Sequence, residues 1–120
     1  MAKIDKHLQD SVENKEVLIF CWSWCPFCKK TCALLKEQGI PFKCVKTDLQ
    51  EDNFNFQNAV VYKSKQRKVP NIWIDGKQIG GNSHIQEAYK NGELKTWIED
   101  AGIKHNLKPY VASEHKEEKK

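Results

Sequence analysis

The chain has 120 residues, 30% charged and 39% hydrophobic, with a formal net charge of +4. That is one soluble-type domain with room for a single core. Its basic residues form no stripe interleaved with aromatics, and no apolar run reaches membrane-spanning length, so nucleic acid and membrane are excluded as partners.

Met1-Ala-Lys-Ile-Asp-Lys6 is too polar for a signal peptide, which makes the cytosol the expected location and keeps thiols reduced there. Five cysteines, an odd number with one Cys-x-x-Cys, argue against a secreted disulfide scaffold and for a working dithiol.

Ile4, Leu8 and Val12 fall four apart and predict an amphipathic first helix. Val17 to Phe20 is a buried-strand run, and Trp22-Ser-Trp24 leads to Cys25-Pro-Phe-Cys28 at the start of a helix from about Pro26 to Gln38. A thiol at a helix start meets unpaired N–H groups and the positive end of the dipole, so the spacing predicts an acidic Cys25 and a resolving Cys28 one turn on. Pro26 suits the first helical position. Gly39-Ile-Pro41 ends that helix. Phe42 to Thr47 alternates as a second strand, and Asp48 is read as the cap of a helix from about Glu51 to Ser64, with Phe54, Gln57, Val60 and Val61 inward.

Val69 to Ile74 predicts a third strand, and Asp75-Gly76 a hairpin into a fourth over Lys77 to Ile79. Gly80-Gly81 turns the chain, Asn82-Ser83 caps a helix burying Ile85, Ala88 and Tyr89, and Glu93 to Ala101 forms the last helix. A domain is expected over residues 1–107 and a charged tail over 108–120. The first two strands, joined by a helix, should lie parallel in a mixed sheet with helices on both faces.

Cys25-Pro-Phe-Cys28, Val69-Pro70 and Gly80-Gly81 before a helix, in that order, resemble the dithiol glutaredoxins, α/β proteins of the thioredoxin-like fold. The resemblance spans roughly residues 4 to 102. It implies a cis bond before Pro70, facing Cys25, and an enzyme that reduces protein–glutathione mixed disulfides and protein disulfides. Cys25 is then the nucleophile and Cys28 the resolving thiol, in a monomer with no permanent cofactor. Its partners would be glutathione, or a related low-molecular-weight thiol, and disulfide-containing or glutathionylated client proteins.

The implied glutathione site comprises Trp24, Phe27, Gln57, Lys68, Val69, Pro70, Gly81, Asn82 and Ser83. Gln57 stands where the family often has a Gln or Arg for the glycine carboxylate. The Val69 backbone would pair with the cysteinyl part, and Gly81, Asn82 and Ser83 with the γ-glutamyl carboxylate. Three positions depart from the family pattern: Trp22 for a Lys, Lys68 for a Thr, and His84 for an Asp. The first and third each remove a charged contact.

Zinc needs four ligands, and Cys21, Cys32 and Cys44 form no second paired motif; they read as small buried hydrophobes. A [2Fe–2S] carrier using Cys25 and glutathione in a dimer is the alternative function, and Pro26 argues against it because cluster-binding relatives mostly have a small residue there.

Overall fold

The computed structural model describes residues 2–107; the charged segment 108–120 read as a tail lies outside the described residues. The order is α1 (Ala2–Glu13), β1 (Val17–Cys21), α2 (Pro26–Glu37), β2 (Phe42–Lys46), α3 (Asn53–Ser64), β3 (Asn71–Ile74), β4 (Lys77–Gly80), α4 (Asn82–Asn91) and α5 (Glu93–Asp100). The strands form one mixed sheet ordered β2-β1-β3-β4. β1 runs parallel to β2 and antiparallel to β3, and β4 closes the hairpin.

All five residues of β1 are buried, as expected of a strand covered on both faces. The two-residue period sends Val17, Ile19 and Cys21 into one core with Leu34, Leu35, Ile85 and Ile98, beneath α2, α4 and α5. Leu18 and Phe20 point the other way, to Ile4, Leu8, Phe56 and Val60 of α1 and α3. Phe20 ties those helices together: its ring meets His7 edge-on at 6.3 Å and Phe56 at 6.1 Å. The Cys-x-x-Cys helix therefore rests on a sheet clamped from behind.

Several boundaries shift. Thr47–Leu49 is a single 3₁₀ turn, and α3 starts at Asn53 instead of Glu51. Asp48 caps no helix; its carboxylate turns back to Ser23. In α3, Phe54 is 72% exposed and Phe56 is buried in its place. Both fit helical spacing, but only Phe56 lies over β1. In α1, Val12 is exposed and Ser11 is buried, its hydroxyl donating to the Leu8 carbonyl at 2.9 Å. β3 begins at Asn71, leaving Val69 and Pro70 in the loop before it. Gly81 is the N-cap of α4, so Asn82 and Ser83 sit in its first turn.

Candidate functional site

Cys25 is the N-cap of α2, with extended backbone (φ −80°, ψ 118°), and Pro26 opens the helix. This geometry aims the Cys25 side chain at the exposed N–H groups of the first turn. Its Sγ accepts the Cys28 backbone N–H at 3.4 Å. From the opposite side comes the loop before β3, where the Val69–Pro70 bond is cis and the Val69 carbonyl oxygen lies 3.9 Å from Cys25 Sγ. The nucleophile is thus set between a helix start and a backbone edge from a distant strand.

Next to it runs a groove of about 460 Å³, lined by Phe27, Gln66, Lys68, Val69, Pro70, Gly81, Asn82, Ser83 and His84. It gathers Phe27, Lys68, Val69, Pro70, Gly81, Asn82 and Ser83 of the predicted set. Phe27 is 53% exposed. Trp24, 66% exposed, stacks on Trp22 at 5.0 Å between centroids. Gln57 belongs to a narrower cleft beside Val69 and Lys68. There its Oε1 accepts the Trp22 indole N–H at 2.9 Å. Trp22, standing where a Lys would be, thus occupies the oxygen of Gln57 and leaves its amide nitrogen as the donor.

His84 has a similar consequence. Its Nδ1 accepts the Gly81 backbone N–H at 3.0 Å. The N–H that the resemblance assigned to a γ-glutamyl carboxylate is therefore already engaged. The ring packs where a side chain on residue 80 would lie: Gly80 has φ +133°, and a Cβ there would come within 2.5 Å of His84 Nδ1. Asn82 connects this turn to the dithiol helix, its Oδ1 accepting from Thr31 Oγ1 at 2.9 Å and from Gln86 Nε2 at 3.2 Å.

Two supports are absent from the sequence reading. Gln66 Nε2 donates to the carbonyls of Lys68 (2.9 Å) and Pro70 (3.1 Å), and its Oε1 accepts from Gln78 Nε2 at 2.8 Å. This bracket holds the two carbonyls flanking Val69. Its only signal in the sequence is a polar residue four before the proline. On the other side, Asp48 receives the Ser23 N–H at 2.9 Å and its hydroxyl at 2.6 Å, fixing the loop that delivers Cys25.

The acidity expected of Cys25 alone needs correction. Burial raises that thiol, as does the Cys28 thiol, against the lowering by the Cys28 and Phe27 N–H groups. Cys28 is pulled down to about 7, foremost by the Cys21 thiol hydrogen-bonded to it, against burial. The Cys25 thiol adds to the lowering of Cys28, after that of Cys21. Cys25 stands beside the groove and faces the Cys28 backbone N–H. The other cysteines pack with the core as expected, Cys21 buried in it and Cys32 and Cys44 half-buried against it, and Cys21 and Cys44 touch.

The glutaredoxin family model matches residues 17–79. A glutaredoxin of Vernicia fordii is 34% identical over 94 residues, covering 78% of this chain and 90% of its own. A wheat glutaredoxin structure superposes with a TM-score of 0.70 at 33% identity, over 82% of this chain and 95% of that one. A buckwheat glutaredoxin–glutathione complex does so with a TM-score of 0.69 at 25% identity, over 84% and 94%. On the family model, these relatives and the matching fold, the chain belongs to the glutaredoxin family of the thioredoxin-like superfamily and is a thiol oxidoreductase.

Proposed function

We propose that the chain is a glutathione-dependent thiol–disulfide oxidoreductase acting on protein–glutathione mixed disulfides and protein disulfides. The observation that carries this reading is Cys25 Sγ, which accepts the Cys28 N–H beside the Val69 carbonyl and the open groove. The buckwheat relative, whose structure is a complex with glutathione, supports the choice of thiol.

The Cys25 thiolate attacks the glutathione sulfur of a mixed disulfide and expels the protein thiolate, which takes a proton. The glutathione now on Cys25 lies in the groove with its backbone along Val69. The Asn82 and Ser83 N–H groups, at the start of α4, receive its γ-glutamyl carboxylate, since that of Gly81 is held by His84. A second glutathione thiolate attacks the bound glutathione sulfur and frees Cys25. With a protein disulfide, Cys25 forms the mixed disulfide and Cys28 displaces the client, leaving a Cys25–Cys28 bond that glutathione reduces.

Turnover of a glutathionylated peptide with glutathione, against cysteine at equal concentration, tests the choice of reductant. Glutathione should give the higher kcat/KM, and equal values would remove it from the function. Among the described residues lining the groove Lys68 is the lysine, and it can face a carboxylate of the tripeptide. Lys68→Glu should raise KM for glutathione by about three- to tenfold, more at low salt, and leave kcat near its starting value. An unchanged KM would show that Lys68 is only solvated.

Because Cys28 is lowered to about 7, its alkylation by iodoacetamide, followed by peptide mapping, should climb from pH 6 to pH 8 and then flatten. A rise starting only above pH 8 would mean that Cys28 is not lowered.

A further inference from the structure

Beneath α2, away from the groove, Cys21 and Cys44 begin a row of thiols, and Cys28 lies in the same buried core as Cys21, which ends β1. Cys21 Sγ lies 3.0 Å from Cys44 Sγ in β2, because the parallel register sets Ile19 opposite Cys44 and puts Cys21 and Cys44 on the same face. Lys46, two residues on along that face, brings Nζ to 3.3 Å from Cys44 Sγ. β2 is an edge strand, and Cys44 is half-buried where Cys21 is fully enclosed. Among the described residues no group of three or more Cys, His, Asp or Glu is arranged to hold a metal ion, so the row is read as redox chemistry.

We propose that Cys21 and Cys44 form a second redox dithiol, oxidised at Cys44 by a hydroperoxide and discharged through Cys28 into the Cys25–Cys28 pair. The Cys21 and Cys32 thiols, and then the Lys46 ammonium, hold Cys44 well below the ordinary thiol range. Cys21 is pushed up by its thiol neighbours. The Cys44 thiolate attacks the peroxide oxygen, giving a sulfenic acid and an alkoxide or hydroxide that takes a proton. The Cys21 thiol condenses with that sulfenic acid, forming the Cys21–Cys44 disulfide and releasing water.

The Cys28 thiolate then attacks the Cys21 sulfur. Cys44 leaves as the thiolate, because Lys46 makes it the better leaving group. Cys25, its proton passing to the medium, attacks the Cys28 sulfur and expels Cys21, which takes a proton back. Two electrons have passed from the Cys25–Cys28 pair to the peroxide, and Cys21 and Cys44 are thiols again. Exit of the oxidation through glutathione rests on the function proposed above.

The test uses the full chain, reduced, then given one equivalent of hydrogen peroxide or of oxidised glutathione, quenched by alkylation and mapped as non-reduced peptides. With peroxide, Cys25→Ser should accumulate disulfides among Cys21, Cys28 and Cys44, and wild type should end with Cys25–Cys28. Cys44→Ser, and Lys46→Gln with all five thiols intact, should slow peroxide-driven formation of Cys25–Cys28 by about tenfold or more, leaving the rate with oxidised glutathione unchanged. Equal peroxide rates in wild type and both variants, or Cys21 and Cys44 still fully alkylated in peroxide-treated Cys25→Ser, would overturn the proposal. Failure of oxidised glutathione to form Cys25–Cys28 in wild type would instead overturn the function on which the exit rests.

Discussion

Cys25→Ser should abolish turnover of both a glutathionylated peptide and a protein disulfide, by at least about a thousandfold, while Cys28→Ser should lose only the second. A serine hydroxyl at residue 25 would still face the Cys28 N–H, but it does not ionise near neutral pH and cannot form the covalent intermediate. Cys28 sits one turn further into α2, whereas Cys25 is its N-cap, beside the Val69 carbonyl and the groove. The Cys28 thiolate therefore reaches Cys25 but not a client sulfur in the groove. In Cys28→Ser the glutathione on Cys25 is still open to a second glutathione, so the monothiol route survives. If Cys28→Ser lost the peptide reaction and Cys25→Ser kept it, the roles would be reversed. Both measurements are initial rates under saturating glutathione, with circular dichroism to show that each variant is folded.

Phe20→Ala should lower stability by about 3–5 kcal/mol, a large part of the roughly 5–15 kcal/mol that holds a domain of this size. Phe20 is fully buried and is the ring on which His7 of α1 and Phe56 of α3 both rest edge-on. Removing it opens a cavity at the meeting point of β1 with both helices of that face, and the strand cannot collapse into it while paired on both sides with β2 and β3. A thermal melt should fall by about 10 °C or more. A change below about 1 kcal/mol would mean that α1 and α3 contribute little to holding the sheet. The dithiol lies on the opposite face, so the residual folded fraction should keep its alkylation profile.

The sequence carried the parts of this molecule that repeat along the chain or sit next to one another. The apolar run of β1, the Cys-x-x-Cys at a helix start and the Asp75-Gly76 hairpin all depend on neighbours a few residues apart, and they are found where they were expected. What it did not carry depends on which distant surfaces meet. Phe54 and Phe56 both suit the helix they occupy, and only the position of β1 chooses between them. Asp48 has the composition of a helix cap, but the Ser23 loop 25 residues earlier claims both its oxygens. Gln66 is an unremarked polar residue until β4 brings Gln78 against it. The Cys21–Cys44 contact needs the parallel register of β1 and β2, which no spacing reveals. The acidity assigned to Cys25 failed for a related reason: the helix start was visible, and the burial and the neighbouring thiols were not.

The central claim, that Cys25 is the sulfur which takes glutathione from a substrate, is tested most directly by locating the adduct. Cys28→Ser, reduced and mixed with a glutathionylated peptide in the absence of free glutathione, should carry one glutathione, and peptide mapping should place it on Cys25. Finding it on Cys21, Cys32 or Cys44 with Cys25 still free to alkylate, or finding no adduct on the folded protein, would contradict the account.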